Sequence, residues 1–272
     1  GKSPLVEARS VVAFRGANQI LSDSSFSVEE GQIVAIVGEN GSGKTTLIET
    51  LAGLIPLREG GVYWRGDAGK VVTVRDSAGR RNAPPPMGLT LQKDGICGDE
   101  TVLERLSDSL EVAGISASEE EIYKVLETWG LGHRSGDRVL HLSGGLRRRL
   151  SILCGLAPAA LREEPTTVLL DEPSEGLDAS AKDLLIGWLR ALSSRNHGVV
   201  FATHDRELIN CADRVVSINE RKISEEVGES SGTACELPAT CISKEPRPIL
   251  SVVRWSFRTE YRNPVDTIGK AT

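Results

Sequence analysis

The sequence predicts an α/β fold on a mostly parallel sheet, with a helical piece inserted between two of its strands. Three observations carry this. The run at 33–37 is apolar on both faces, as a parallel strand covered by helices is, 168–170 reads as a buried strand, and 199–202 and 215–218 read as two more strands. Between the second and third runs, Ala181, Leu184, Leu185, Trp188, Leu189 and Leu192 keep the spacing of a strongly amphipathic helix. The stretch from Gln92 to Leu142 is charged, helical in pattern and without strand signals. No apolar run approaches the roughly eighteen residues that span a bilayer.

The elements follow in order. Val11, Val12 and Phe14, then Ile20, Leu21, Phe26 and Val28, read as short strands around a turn at Arg15-Gly16-Ala17-Asn18. The 33–37 strand leads through a Gly-rich loop into a helix with Leu47, Ile48 and Leu51 on one side, stopped by Gly53. Residues 58–86, rich in Gly, Arg and Pro, read as strand fragments and loops, and a strand at 87–91 follows. Thr101-x-x-Glu104 and Ser118-x-x-Glu121 are capping boxes, each opening a helix. Leu146, Leu150 and Leu153 mark another helix. At 227–248 the composition shifts to that of a linker. In 249–272, Ile249, Val253, Phe257 and Tyr261 recur every four residues, and so do Arg254, Arg258 and Arg262, giving a basic amphipathic tail that reads either as a segment lying on a membrane surface or as a disordered tail or ordinary helix packed on its own domain.

Composition narrows the function classes. Of 272 residues, 39% are hydrophobic, which supports a sizeable core and excludes global disorder. Lys+Arg number 32 and Asp+Glu 38, a net charge of −6, whereas a surface that grips nucleic-acid phosphates is basic. The five cysteines are scattered and form no C-x-x-C pair, so we expect reduced cytosolic thiols and neither a disulfide framework nor a zinc knuckle. No secretory signal opens the chain, and Gly1 in place of Met reads as a tag scar or a processed end.

The strongest local signal is Gly38-Glu39-Asn40-Gly41-Ser42-Gly43-Lys44-Thr45, a G-x-x-x-x-G-K-[ST] loop directly after a strand and before a helix. Its glycines let the backbone wrap phosphate oxygens, successive N–H groups point inward, and the helix N-terminus adds its positive end. Lys44 reaches β- and γ-phosphates as a point charge, the Thr45 hydroxyl is placed for Mg²⁺, and Thr46 extends the set. The second signal is Val168-Leu169-Leu170-Asp171-Glu172, an apolar strand ending in two acids. Asp171 is placed to hold Mg²⁺, and Glu172 to polarise an attacking water. Alone, that pair is an ordinary acidic strand end; beside the phosphate loop it reads as catalytic.

Leu142-Ser143-Gly144-Gly145-Leu146, between those motifs, resembles the LSGGQ signature of ABC ATPases. Gln92 resembles the Q-loop glutamine, Gly176-Leu177-Asp178 the D-loop, and His204 in Ala202-Thr203-His204-Asp205 the switch histidine. The resemblance covers roughly residues 5–226, and six ordered motifs are far more specific than any one. It implies a P-loop NTPase core with a mostly parallel sheet, an N-terminal antiparallel β-subdomain and an inserted α-helical subdomain at about 93–142. It implies ATP and Mg²⁺ as cofactors, with ATP sandwiched in a head-to-tail dimer between the phosphate loop of one domain and Ser143, Gly144 and Gly145 of the other. Glu172, His204 and Gln92 are then catalytic, with Thr45, Gln92 and Asp171 around the metal, Asp178 across the dimer interface, and Phe14 where the family stacks adenine. Tyr63 and Trp64 are weaker candidates for that stack. Leu146 replaces the usual signature glutamine, and Glu39 stands where proline is frequent.

Taken singly these residues have blander readings. Ser143-Gly144-Gly145 is also a plain N-cap, Phe14 a core residue and His204 a buried strand end. Arg147-Arg148-Arg149 reads as a solvated helix face, and His133, His141 and His197 as surface residues. The resemblance implies the ATPase domain of a transporter at the cytoplasmic face of the cell membrane. Its partners are a second such domain, identical or not, and a transmembrane permease, separate or fused C-terminal to this chain. The alternative is a soluble ABC ATPase acting on nucleic acid or ribosomes; the coiled coils, zinc modules or tandem domains of such relatives are missing from the sequence. A P-loop kinase or GTPase leaves residues 142–145 and His204 unexplained.

Overall fold

The computed structural model describes residues 4–92 and 99–241. The tail at 249–272, the end of the expected linker and the first residues of the helical insertion lie outside that range.

Two strands, β1 (Val6–Arg15) and β2 (Asn18–Val28), form the expected hairpin, and β3 (Ile33–Val37) leads into α1 (Lys44–Leu51). The stretch expected to be fragmentary is more regular than its composition suggests. It carries β4 (Leu57–Arg65) and β5 (Val71–Asp76), which pair with each other, and β4 also pairs with β1. Partner strands stabilise this Gly- and Arg-rich segment, and Trp64, 1% exposed, anchors it by donating its indole N–H to the Leu51 carbonyl at 2.8 Å. The resulting antiparallel sheet has the order β2-β1-β4-β5.

After β6 (Gly88–Thr90) comes the helical insertion, with α2 (Val102–Val112) and α3 (Glu119–Thr128). Both capping boxes form. Glu104 N–H donates to Thr101 Oγ1 at 3.2 Å and Thr101 N–H to Glu104 at 2.8 Å; the Ser118–Glu121 pair does the same. Each such cap is worth about 1 kcal/mol. Then follow α4 (Gly144–Ala160), β7 (Thr167–Asp171), α5 (Ala179–Ser194), β8 (Gly198–Ala202), α6 (Arg206–Asn210), β9 (Arg214–Asn219) and β10 (Lys222–Val227). The second sheet has the order β10-β9-β3-β8-β7-β6, parallel except for the β10 edge.

Each central strand feeds two cores. Ile33, Ala35, Val168, Leu170, Val199 and Phe201 face α2, α3, α4 and α5. Val34, Ile36, Leu169, Val200 and Ala202 face α1 and the antiparallel sheet. This two-sided burial is why the runs look uniformly apolar in sequence. Trp129 of the insertion meets Trp188 of α5 edge to face, ring centroids 5.6 Å apart, and so joins the insertion to the main body. Helix α4 lies so close to β6 that a Cβ on Gly88 would sit 1.9 Å from the Gly155 carbonyl oxygen. Among the described residues no helix is long and apolar enough to cross a membrane.

Two expectations need correction here. Of the stretch read as linker, residues 228–241 are laid along the body. Gly228 N–H donates to Asp213, Cys235 N–H to Gly187 and Cys241 N–H to Leu161, while Arg195 bonds the carbonyls of Leu237 and Pro238. Leu237 and Cys241 are buried. Composition registers polar residues but not the carbonyls and donors that the body offers them. His197, expected at the surface, is 0% exposed and accepts the Thr166 N–H on Nδ1 at 3.1 Å.

Burial, with Arg195 and Arg162 nearby, pushes His197 down to about 4 from its ordinary 6.5. Between those values the unfolded chain takes up a proton that the native state refuses. Stability therefore falls as pH drops through that window, by about 3 kcal/mol in all. Urea unfolding at pH 7 and pH 4.5 checks this: the native chain should lose more stability than a His197→Asn variant does, and equal losses would refute the assignment.

Candidate functional site

Parallel strands end at the same edge of a sheet, so β3, β8, β7 and β6 deliver the loops that follow them to one place. The register fixes their alignment: Ile36 pairs with Ala202, Ala202 with Asp171, and Leu170 with Thr90. A cavity of about 700 Å³ opens there. Its phosphate-loop wall is Asn40, Gly41, Gly43, Lys44, Thr45 and Thr46, and its opposite wall Leu91, Gln92, Asp171 and Glu172. Gly43, at φ 114°, packs so tightly on Ile20 that a Cβ would come within 2.7 Å of the isoleucine methyl. Lys44, 7% exposed, donates to the carbonyls of Gly38 at 2.8 Å and Glu39 at 3.2 Å, which holds the loop closed around its ammonium. Ser42 Oγ is buried without a hydrogen-bond partner.

Asp171 is fully buried, and neither of its oxygens lies in a hydrogen bond of full geometry. Desolvation is the largest influence and raises its pKa; Glu172 adds to that, while Thr45, Lys44 and Arg148 oppose it. A buried, underpaired carboxylate beside a helix-start hydroxyl suits a hard divalent cation completed by substrate phosphates and water. Among the described residues no cluster of three His, Cys, Asp or Glu exists, so this donor set needs oxygens from a ligand.

Glu172 turns the chain at a positive φ of 47°, uncommon for a residue with a side chain. Its N–H donates to Ala202 at 2.8 Å and its carboxylate meets His204 Nδ1 at 3.0 Å. Gln92 donates to Glu175 at 3.2 Å. Thus the structure gathers the phosphate loop, Asp171, Glu172, Gln92 and His204 at one strand edge.

The arginine run is not a solvated face. Arg148 is 5% exposed and lays its guanidinium on the carbonyls of Glu172 at 2.7 Å, Asp171 at 3.2 Å and Leu91 at 3.4 Å. Arg149 donates to Asp178 at 2.6 Å. Sequence reasoning missed Arg148 because its partners are backbone atoms 57 and 24 residues away.

Other expected residues stand apart. Ser143 caps α4 by accepting the Leu146 N–H at 3.3 Å, and Ser143, Gly144 and Gly145 are exposed and do not line the cavity. Asp178 caps α5; the Ala181 N–H, Ser180 and Arg149 hold its carboxyl below the usual range. Phe14 does not line the cavity; its ring lies under the Arg58 guanidinium at 5.4 Å. Arg15 and Ile20 reach the cavity from that hairpin instead.

Comparison with known proteins agrees with this geometry. The family described as "ABC transporter" matches residues 21–175. The sulfate/thiosulfate import ATP-binding protein CysA of Bordetella parapertussis is 36% identical over 243 residues, 86% of this chain and 64% of that protein. The macrolide export ATP-binding/permease protein MacB of Rhodospirillum rubrum is 30% identical over 218 residues, 79% of this chain and 32% of that protein. The chain thus spans less than two thirds of these relatives. A solved ATP-binding subunit of an ABC transporter superposes with a TM-score of 0.69 at 23% identity, covering 82% of this chain and 90% of that one. A dimeric ATP-binding cassette in a post-hydrolysis state, bound to ADP and Pi, gives 0.69 at 22% identity, covering 84% and 99%. With the phosphate loop, the acidic strand end and the histidine already gathered at one edge, the family match over more than half its length makes this chain a member of the ABC transporter family.

Proposed function

We propose that this chain is the ATP-binding and ATP-hydrolysing domain of an ABC transporter, which couples ATP-driven head-to-tail dimerisation to substrate translocation by a membrane permease. The observation that carries the reading is the division of its motifs. The phosphate loop, Asp171, Glu172, Gln92 and His204 share one strand edge, while Ser143, Gly144 and Gly145 open elsewhere, toward solvent. One chain then holds most of a site and a second copy supplies the rest. The N-terminus of α4 has no acidic residue in its first turn, so its positive end is left for a γ-phosphate. Asp178 lies exposed beside that region, in reach of the same interface.

In the reaction, Glu172 takes the proton of a water whose oxygen attacks the γ-phosphorus, and the bond to the bridging oxygen breaks with its electron pair leaving on ADP. His204 holds the Glu172 carboxylate in place and stands ready for the γ-phosphate. Thr45 and Asp171, with Gln92, are the residues that would hold Mg²⁺, which neutralises charge on the phosphates when bound. The relatives' names speak of import and of export, and CysA and MacB differ in whether the permease is named with the ATP-binding part. Identity of the second domain, attachment of the permease and placement at the cytoplasmic face of the membrane belong to the proposal. Nothing among these relatives favours action on nucleic acid or ribosomes.

Light scattering with and without Mg-ATP tests the dimer on a Glu172→Gln variant. The expected outcome is an ATP-dependent dimer, with turnover reduced by at least about 100-fold. Undiminished hydrolysis by that variant, or a monomer in saturating ATP, would sink the reading. A second variant, Arg148→Met, removes donors from the Asp171 and Glu172 carbonyls but keeps bulk. It should lower kcat on the order of 10- to 100-fold while KM stays within about threefold, since displacement of the reacting groups costs rate more than binding. Equal effects on both constants would mean that Arg148 serves folding alone.

A further inference from the structure

We propose that Glu175 is a positioning residue for the ATPase reaction: its carboxylate holds the Gln92 amide so that Oε1, and not the amide nitrogen, is presented to the cavity where Mg²⁺ would be held. The inference rests on the nucleotide reading above and adds a residue that reading leaves without a role. Gln92 lines the cavity opposite the phosphate loop, as Asp171 and Glu172 do. Glu175 does not line it, yet Gln92 Nε2 donates to Glu175 Oε2 at 3.2 Å across 83 residues of chain.

The chemistry of the two groups fixes the orientation. A carboxylate only accepts hydrogen bonds, whereas an amide carries donors on nitrogen and acceptors on oxygen. Glu175 therefore takes the NH₂ end of Gln92, and the carbonyl end is what remains for the cavity. A hard divalent cation is held by oxygen and not by an amide nitrogen. An unheld glutamine turns about its last torsion with little preference between its two ends. Drawing the N–H toward a negative charge also polarises the amide and makes Oε1 the better electron donor, as a carboxylate does behind a metal-bound histidine.

The backbone explains why the two side chains meet. Glu175 sits in a double turn after β7: its N–H donates to the Glu172 carbonyl at 3.1 Å, the Leu177 N–H donates to that of Ser174 at 3.2 Å, and Gly176 adopts φ 77°. The Arg148 side chain lies against that turn, its Cγ 3.8 Å from where a Cβ on Gly176 would sit. The same guanidinium bonds the carbonyl of Glu172, which opens the turn, and that of Leu91, the residue before Gln92. Both partners are thus carried by backbone that one buried cation ties together. Gln92 and Glu175 are exposed, and a hydrogen bond between exposed groups adds little stability. Its consequence is the direction in which the amide points.

Calorimetric titration of ATP in the Glu172→Gln background, once with Mg²⁺ and once with EDTA, tests this; the readout is the gain in affinity that Mg²⁺ brings. Glu175→Ala should cut that gain on the order of 10-fold and leave the metal-free affinity within about twofold. Glu175→Gln keeps an acceptor oxygen for the Gln92 N–H and should restore the gain; it is as uncharged as the alanine variant, so it separates the hydrogen bond from the field of the carboxylate. Glu175→Lys offers only donors, turns the amide around and should cut the gain further than alanine does. In a Gln92→Ala chain, Glu175→Ala should have no further effect. An unchanged gain in Glu175→Ala, equal losses in the alanine, glutamine and lysine variants, or a loss that persists in the Gln92→Ala chain overturns the inference. So does a Gln92→Ala chain that keeps the full gain. Those outcomes leave ATP binding in place, whereas a parent chain that binds no ATP removes the nucleotide reading and the inference with it.

Discussion

The arrangement at the strand edge depends on one buried cation. Arg148 places its guanidinium on the carbonyls of Asp171, Glu172 and Leu91, and thereby joins the start of α4 to the ends of β7 and β6. Charge-assisted hydrogen bonds of this kind are about twice as strong as neutral ones, and a buried guanidinium without acceptors would cost several kcal/mol. Acceptors and cation therefore need each other. The backbone at Glu172 turns through a positive φ, which such a residue adopts only where its surroundings hold it. The Arg148 bond to its carbonyl, the Ala202 bond to its N–H and the His204 contact to its carboxylate supply that hold from three elements, α4, β8 and the loop after β8.

Much of this was legible in sequence wherever the determinant is local. Capping boxes are read from residues three apart, and both form as written. The phosphate loop is local too, because strand, glycines and helix are consecutive. Two-sided strands announce themselves by uniform apolarity. What escaped depends on neighbours distant in sequence. Nothing near residue 148 marks that arginine as buried, and nothing near residue 197 marks that histidine as the acceptor for the Thr166 N–H. Of the strands at 57–76, β4 is stabilised by β1, about fifty residues earlier in the chain, and β5 by β4, which composition cannot register. Which hairpin residues line the cavity, Arg15 and Ile20 and not Phe14, goes with a one-residue bulge: Ala13 pairs with Leu21 and Phe14 with Gln19, which leaves Ile20 without a partner.

The same distinction governs the charges. Asp171 is kept in a low-dielectric setting that raises its pKa, a cost the fold bears without a paired cation in full hydrogen-bonding geometry. Elsewhere a half-buried acid is fully partnered: Asp213 receives the Ile33 N–H, Arg190 and Ser230, and the sum of these bonds outweighs desolvation and lowers its pKa. Asp213 ties Gly228 and Ser230 to β3 and is structural. The contrast isolates Asp171 as a carboxylate left underpaired in a molecule that pairs others, which is the condition for a cation to add stability when it arrives.

Rigidity and incompleteness then follow from one connection. Arg148 lies little more than one helical turn after Gly144, the first residue of α4. The exposed end of that helix and the acidic strand end are therefore parts of one stiff unit, while Ser143 does not line the cavity. A ligand bridging two copies would engage the strand edge of one and the α4 end of the other. Because the guanidinium fixes those two surfaces relative to each other within each chain, alignment of either site in a pair constrains the other.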